Sequence, residues 1–436
     1  MDTGCGQRFP HGSRIRWVLG YPATMSSLLV DPLLLPCGVT LKNRLAKSAM
    51  SEDMADPGNM PGDRFIRLYR RWGAGGAGLL ITGNIMVDRT ALGEPGNIVI
   101  EDDRHLGALR QMAESARTDA AGKPTGTAIW AQINHPGRQT PRFMAKVPVA
   151  PSAVPLVMPG GIFAPPRALL TDEIPLVIAR YARAAGICKQ AGFTGVQIHG
   201  AHGYLVSQFL SPLTNLRDDA WGGDPERRRR FLIEIVRGMR AEVGPGFPIG
   251  VKLNSADFQR GGFDEEESMS VVSALEAEGV DLLEISGGTY EKPAMAGTME
   301  VTRASTQARE AFFLEYARKV RGRTRMPLML TGGFRTRAGM ESALAEGAVD
   351  MIGLARPMAL EPELARGLLD GTIAESQVRP RRTGVGQLDS LLEVYWYSFQ
   401  IHRMAEGKEP LPGVSPWWVL AGLAWGMVKL RLTGRR

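Results

Sequence analysis

The stretch Gly195-Val-Gln-Ile-His199-Gly-Ala-His202-Gly-Tyr204-Leu decides how the rest of the chain is interpreted. The apolar run Val196–Ile198 predicts a short buried strand. The strand breaks after His199, and the chain continues at once to His202 and Tyr204. Two imidazoles and a phenol therefore lie where a buried strand leaves its sheet. In parallel α/β folds, ligands bind at that end of the strands.

Two interpretations of these histidines are open. A single histidine beside an apolar run is most often a structural core residue, and this applies to His199 or His202 taken alone. The chain has only six histidines, however, and these two lie three positions apart beside Tyr204. Imidazoles can donate to an anionic oxygen, and a phenol can supply a proton. The three side chains together favour a catalytic site.

Apolar runs of strand length alternate with amphipathic helical runs from about residue 45 to about residue 370. The eight strand candidates are Leu45–Met50, Gly78–Gly83, Thr127–Asn134, Gly195–His199, Ile249–Asn254, Leu282–Gly287, Pro327–Gly332 and Met351–Ala355. The helical candidates between and after them are Asp63–Arg71, Leu106–Ala120, Ile174–Gln190, Pro225–Glu242, Glu265–Glu278, Ala308–Val320, Arg337–Ala345 and Pro362–Leu368. This alternation indicates a parallel sheet. Eight such units, over slightly more than the typical ~250 residues, predict an α/β fold of the (β/α)8 or TIM barrel type.

We expect three regions along the chain. Residues 1–24 are rich in Gly and Arg without a signal-peptide pattern, and we expect a disordered leader or an artefact of an upstream start. Residues 25–375 are predicted to form the barrel, and residues 376–436 a helical C-terminal extension that includes Leu388–Met404. A long Pro- and Gly-rich loop follows the third strand, from about Pro136 to Asp172, and a loop of this length is usually functional.

The composition excludes several classes of protein. Hydrophobic residues make up 44% and charged residues 22% of the chain, as in a soluble globular protein. The net charge of +7 comes from scattered Arg rather than a basic stripe interleaved with aromatics, so we expect no nucleic-acid partner. Cys5, Cys37 and Cys188 have no metal-ligand spacing, so we expect no metal or iron–sulfur site and a cytoplasmic protein.

The C-terminal tail is apolar and aromatic from Trp417 to Val428, and Lys429 and Arg431 follow. This run is shorter than the ~20 apolar residues that a membrane span needs. Residues 417–431 could instead contact a membrane surface. Packing against the barrel, or against a second subunit in a homo-oligomer, is the interpretation that we favour.

Glycines follow two strands at which barrels of this type often bind a phosphate group. The seventh strand candidate ends in Thr331-Gly332-Gly333-Phe334, and the eighth ends in Gly353-Leu-Ala355-Arg356-Pro357. Glycines let backbone N–H groups approach a phosphate, and Arg356 can form paired bonds to it. Either motif alone could be an ordinary turn. Their occurrence at both strand ends predicts a phosphate site.

The chain resembles the old yellow enzyme family, the flavin-dependent ene-reductases, over roughly residues 41–362. Besides the stretch after Gly195, the resemblance is carried by motifs at other strand ends: Asn43-Arg-Leu-Ala-Lys-Ser48-Ala-Met50-Ser51, Ala131-Gln132-Ile-Asn-His135-Pro-Gly-Arg138 and Gly250-Val-Lys-Leu-Asn-Ser-Ala-Asp257. It implies an enzyme that holds FMN. With NADH or NADPH as reductant, such an enzyme reduces a small electrophilic alkene, such as an enone or a nitroalkene.

The resemblance also implies roles for individual residues. His199 and His202 would bind the substrate oxygen, and Tyr204 would protonate the substrate carbon. The predicted FMN contacts fall into three groups: Ser48, Ala49, Met50, Ser51 and Gly83 along the flavin ring; Gln132 and Lys252 at its pyrimidine edge; and Gly332, Gly333, Ala355 and Arg356 at the phosphate.

Three positions depart from the family pattern. Ser51 occurs where relatives carry Cys or Thr, and Ala49 replaces a usual Pro. Lys252 replaces a usual Arg, which keeps the positive charge but loses the planar guanidinium. Because the Ser51 hydroxyl can still donate, we expect at this position a shifted flavin potential rather than lost binding.

Three other functions stay open at this point. The first is a flavin barrel with oxidase or demethylase activity. The second is a flavin-binding partner protein without ene-reductase turnover, and the third is a flavin-free isomerase barrel that binds a phosphate.

Overall fold

Eight parallel strands form a closed barrel in the computed structural model, which describes residues 27–158, 161–257, 259–286, 314–379, 381 and 386–422. The barrel strands are β1 (Leu45–Lys47), β2 (Leu79–Met86), β3 (Ala128–Asn134), β4 (Gly195–Gly200), β5 (Ile249–Asn254), β6 (Leu282–Ser286), β7 (Leu328–Thr331) and β8 (Met351–Leu354). Each strand pairs with the next in sequence, and β8 pairs with β1 to close the ring. The predicted TIM barrel is confirmed.

Helices connect the strands on the outside of the barrel. The longer ones are Asp63–Ala74, Leu106–Arg117, Glu173–Gln190, Pro225–Val243, Glu265–Ala277, Arg337–Ala345, Leu364–Asp370 and Gly386–Ala405. Their first residues lie within two positions of the predicted ones, and several starts are fixed by side-chain caps. The Asp224, Asp264 and Thr336 side chains each accept a bond from the backbone N–H three residues later. The predicted helix Ala308–Val320 lies partly outside the described residues.

The first strand is shorter than predicted. Its expected range was Leu45–Met50, but the strand ends at Lys47. The Ser48 N–H still donates to the Leu354 carbonyl oxygen at 3.0 Å, and the chain then leaves the sheet. Residues 48 to 51 therefore form an irregular segment at the mouth of the barrel.

The barrel interior changes from apolar to polar along the strands. At the amino ends, Trp130 fills the centre with Ile81, Leu282 and Met329. A Cβ at Gly250 would come within 2.7 Å of the Trp130 ring, so this position needs glycine. At the carboxyl ends the same interior holds buried amides, charges and imidazoles. The barrel thus places its polar side chains at one end.

The regions around the barrel pack against it. The hairpin strands Leu33–Leu34 and Thr40–Leu41 contribute to the apolar layer at the amino ends. Helix Gly386–Ala405 contacts helix Asp63–Ala74, and His402 Nε2 hydrogen-bonds the Glu52 carbonyl oxygen at 2.6 Å. The boundary between residues 375 and 376 stays a prediction. The leader 1–24 and residues 423–436 of the tail lie outside the described residues.

The long loop after β3 contacts the segment that follows β4. Gln139 Nε2 donates to the His202 carbonyl oxygen at 2.9 Å, and the Leu216 N–H donates to Ser152 Oγ at 2.9 Å. This loop therefore supports the carboxyl end of the barrel at β4. In the part of the chain that the structure describes, no helix combines the length and apolarity needed to cross a membrane.

Candidate active site

The predicted site residues lie within, or just after, seven of the eight barrel strands. Ser48, Ala49, Met50 and Ser51 follow β1, and Gly83, Gln132, His199 and Lys252 lie within β2, β3, β4 and β5. His202 and Tyr204 follow β4. Gly332 and Gly333 follow β7, whereas Ala355 and Arg356 follow β8. Parallel register aligns Gln132 with Gln197 and His199 with Lys252. The barrel topology thus gathers residues from distant parts of the chain.

The two histidines are the centre of a hydrogen-bonded chain from β2 to β6. His199 Nδ1 lies 2.7 Å from Asn84 Oδ1, and His199 Nε2 lies 3.0 Å from His202 Nδ1. His202 Nε2 lies 2.8 Å from Ser286 Oγ. The residues His199 and His202 are only 4% and 5% exposed. Asn84 and Ser286, the two outer members of this series of hydrogen bonds, were not predicted from the sequence.

Both imidazoles are neutral at pH 7. Burial holds the pKa of His199 and of His202 well below the ordinary value, and the positive charge of Lys252 acts in the same direction on both. A neutral imidazole has one N–H donor and one acceptor nitrogen. To donate to a ligand oxygen, either ring must therefore exchange one of its present partners.

Tyr204 lies beside the imidazoles because of an unusual turn. His202 has a positive φ of 62°, which costs a non-glycine residue conformational energy. The backbone N–H of His202 donates to Asn254 Oδ1 at 3.2 Å and so stabilises this turn. Beyond it, the Tyr204 ring centroid lies 4.7 Å from that of His199, and Asn84 Nδ2 donates to the Tyr204 hydroxyl oxygen at 3.5 Å. A phenol and two imidazoles thus lie in mutual contact.

A second series of hydrogen-bonded polar side chains crosses the barrel interior from Gln132 to Lys252. Gln132 Nε2 donates to Gln197 Oε1 at 2.8 Å, and Gln197 Nε2 donates to Glu284 Oε2 at 2.7 Å. Glu284 Oε1 lies 3.0 Å from Lys252 Nζ and accepts from Thr331 Oγ1 at 2.6 Å. Lys252, which was predicted at the pyrimidine edge of the flavin, therefore forms a buried ion pair with Glu284. A signal was present in the sequence, because Glu284 interrupts an apolar strand.

Another buried ion pair joins the ends of β1 and β2. Lys47 Nζ lies 3.9 Å from Glu52 Oε1 and 4.3 Å from the Trp72 ring centroid. Burial lowers the Lys47 pKa to about 8, although Glu52 opposes this shift. Glu52 Oε1 also accepts from the Gly83 N–H at 2.9 Å. A Cβ at Gly83 would collide with the Glu52 carboxylate, so this close approach requires glycine.

Ser51 contacts an acidic group that the sequence did not predict. Its hydroxyl donates to the Glu94 carboxyl group, in the loop after β2. Burial and the nearby Asp53 raise the Glu94 pKa to about 8, and burial raises that of Asp53 to about 6. At pH 7 Glu94 therefore keeps its proton. The Ser51 hydroxyl proton is directed to this carboxyl group.

The ends of β7 and β8 have the features of a phosphate site. Gly332 and Gly333 have positive φ values of 117° and 87°. A Cβ on Gly332 would have no heavy atom within 4 Å, so its backbone faces open space. Arg356 begins a short helix after β8, with its guanidinium 6.0 Å from the Tyr397 ring. These groups fit the phosphate of a nucleotide such as FMN.

A buried amide at the barrel mouth also fits a polar ligand. Asn134, the last residue of β3, is fully buried, and both polar atoms of its side chain have no hydrogen-bond partner among the described residues. Buried amides are almost always hydrogen-bonded in folded proteins. The amide of Asn134 can supply one donor and one acceptor to a bound polar group.

Comparison with known proteins gives consistent results. Residues 29–373 match the profile of the NADH:flavin oxidoreductase / NADH oxidase family. NADH-dependent flavin oxidoreductase iliE of Hypocrea jecorina is 38% identical over 362 residues, which cover 78% of this chain and 88% of that protein. The solved complex of 2-naphthoyl-CoA reductase with 2-naphthoyl-CoA has a TM-score of 0.74 at 26% identity, over 86% of this chain and 58% of that one. The old yellow enzyme homologue from Zymomonas mobilis has a TM-score of 0.66 at 25% identity, over 82% of this chain and 98% of that one.

Proposed function

This chain belongs to the NADH:flavin oxidoreductase / NADH oxidase family and is an FMN-dependent oxidoreductase; we propose that it reduces the C=C bond of an activated alkene with NADH. The observation that supports this substrate class is the buried group of His199, His202 and Tyr204, in which two imidazoles lie beside a phenolic acid. Its small-molecule substrate would be an enone, a nitroalkene or a similar compound.

FMN, when bound, supplies the hydride chemistry between NADH and the substrate. For the phosphate end we propose Gly332, Gly333, Ala355 and Arg356. For the ring we propose Ser48, Ala49, Met50, Ser51, Gly83, Gln132 and Lys252. Because Lys252 is paired with Glu284, its net contribution of positive charge is smaller than that of an unpaired cation.

The histidines would act on the substrate oxygen. Negative charge develops on that oxygen as the alkene is reduced, and N–H donors stabilise such a charge. His199 and His202 are neutral, so either ring can donate without adding a buried charge once its N–H leaves its present acceptor for the substrate oxygen. Tyr204 would give its proton to the substrate carbon, since an ordinary phenol is protonated at neutral pH.

The purified protein tests this proposal against its rivals. We expect a flavin absorbance spectrum, FMN in the supernatant after denaturation, and bleaching by NADH without oxygen. Adding cyclohexenone to the bleached protein should restore the absorbance. If no flavin is present, the isomerase alternative is favoured. If oxygen restores the absorbance but no enone or nitroalkene does, an oxidase or demethylase function replaces the proposed one.

Cytoplasmic location, homo-oligomer formation and membrane-surface contact through residues 417–431 remain predictions. Trp417 and Trp418 are 55% and 61% exposed, whereas Val419 is buried. Flotation with anionic vesicles tests the membrane contact, because a Trp417→Ser, Trp418→Ser variant should then lose binding. Equal flotation of parent and variant would exclude these side chains as the contact.

A further inference from the structure

Asn84 touches both the imidazole and the phenol of the candidate active site. It follows an irregularity in β2, where the pairing with β3 shifts between Ile81 and Asn84. The backbone just before it is held by Glu52, which accepts from the Gly83 N–H at 2.9 Å. Its Oδ1 lies 2.7 Å from His199 Nδ1, and its Nδ2 lies 3.5 Å from the Tyr204 hydroxyl.

The Asn84 amide determines where the protons of both imidazoles lie. An amide oxygen only accepts, so the single proton of neutral His199 must be on Nδ1. Its Nε2 then accepts, which places the proton of His202 on Nδ1 as well. The remaining nitrogen, His202 Nε2, accepts from the Ser286 hydroxyl. One side chain therefore orders a chain of three hydrogen bonds.

The same amide affects the Tyr204 hydroxyl. Because Nδ2 donates to the phenolic oxygen, the proton of that hydroxyl is directed away from Asn84. Turning the amide by half a rotation would reverse every bond. Tyr204 would then donate to Oδ1, and both imidazoles would carry their proton on Nε2. The 2.7 Å contact with His199 is typical of an N–H···O bond, which favours the first arrangement.

We propose that Asn84 is a positioning residue that fixes the Nδ1–H tautomers of His199 and His202 and orients the Tyr204 hydroxyl. Its effect on catalysis rests on the proposed alkene reduction. Its effect on the tautomers does not depend on any reaction. The two parts are therefore tested separately.

Nitrogen NMR of the protein labelled with ¹⁵N-histidine, with its FMN bound, tests the tautomers. The chain has six histidines, and the signals of His199 and His202 are assigned by their loss in the corresponding His→Gln variants. At neutral pH we expect both rings as Nδ1–H in the parent. In Asn84→Leu, which keeps a similar size, His199 should become Nε2–H or a mixture. His105, whose Nε2 hydrogen-bonds the Gly58 carbonyl oxygen away from this site, is the internal control and should not change.

The variant Asn84→Asp separates the tautomer effect from the phenol effect. A carboxylate accepts from His199 as the amide does, so the proton on His199 Nδ1 should return. The carboxylate cannot donate to Tyr204, however, and should attract the phenolic proton instead. We therefore expect Asn84→Asp to recover the NMR signal of His199 but not the rate of enone reduction.

Different failures have different meanings. Nε2–H tautomers in the parent, or tautomers unchanged in Asn84→Leu, would overturn the tautomer assignment. Enone reduction by Asn84→Leu at the parent rate would overturn the role toward Tyr204. If the parent itself reduces no alkene, the proposed function fails, whereas the NMR result still decides whether Asn84 orders the imidazoles.

Discussion

The substitution Glu284→Gln tests the buried ion pair in the barrel interior. Lys252 Nζ and Glu284 Oε1 are 3.0 Å apart, and their side chains are 5% and 0% exposed. Glutamine keeps the shape of the side chain but removes its charge. The Lys252 ammonium group then stays buried without its paired carboxylate, and Gln197 and Thr331 no longer both find an acceptor.

The expected loss of folding stability is large for a single substitution. Removing one partner of a buried ion pair costs about 3–5 kcal/mol, because the other charge is left uncompensated. With an unfolding entropy of about 2.1 cal/mol/K per residue, the 436 residues give about 0.9 kcal/mol/K at the midpoint. The Tm of Glu284→Gln should therefore fall by about 3–5 °C.

Differential scanning calorimetry with a matched control measures this loss. Lys319 Nζ and Glu265 Oε2 form a similar pair at 2.8 Å, but their side chains are 51% and 41% exposed. Water screens this pair, so Glu265→Gln should leave the Tm nearly unchanged. The double variant Lys252→Met, Glu284→Gln should regain part of the loss, because neither charge stays unpaired. Equal Tm values for Glu284→Gln and Glu265→Gln would refute the reasoning.

Three further predictions concern the cofactor, the ligand and pH. Arg356→Ala should weaken FMN binding by roughly 1.5–3 kcal/mol, or about ten- to a hundredfold in Kd; equilibrium dialysis showing the parent affinity would exclude the phosphate role. His199→Ala and His202→Ala should each weaken binding of p-hydroxybenzaldehyde at normal FMN content, and parent-like titrations of both would make these histidines structural. The Glu94 pKa is raised to about 8, so the folded protein keeps a proton that the unfolded chain releases, and stability should fall as pH rises from 6.5 to 8. Glu94→Gln should flatten this decline in Tm, and an equally steep decline would contradict the assignment.

The barrel could be predicted from the sequence because its strands are buried on both faces. Runs such as Leu79–Ile81 are continuously apolar, and Gly or polar residues bound them. Helix Arg337–Ala345 was predicted to the residue, because Thr336 is a strong capping residue immediately before it. Given the strand order of a barrel, the carboxyl ends and their site residues followed from the topology.

The contacts inside the site could not be predicted in the same way. The sequence contains Lys47, Glu52 and Glu284, but it does not say which of them face each other across the barrel. The direction of Asn84 depends on the shift in pairing after Ile81, and no local pattern predicts that shift. The contact from Ser51 to Glu94 arises because the chain leaves β1 at Lys47, earlier than the apolar run suggested.

The most direct test of the proposed function is the reoxidation of the NADH-reduced protein by an enone, followed by stopped-flow absorbance without oxygen. The parent should be reoxidised rapidly. Tyr204→Phe should be reduced by NADH at the parent rate but reoxidised by the enone more slowly, by about 10²–10⁴-fold, since only the proton donor is removed. A parent protein that no enone reoxidises, or a Tyr204→Phe variant reoxidised at the parent rate, would contradict the account.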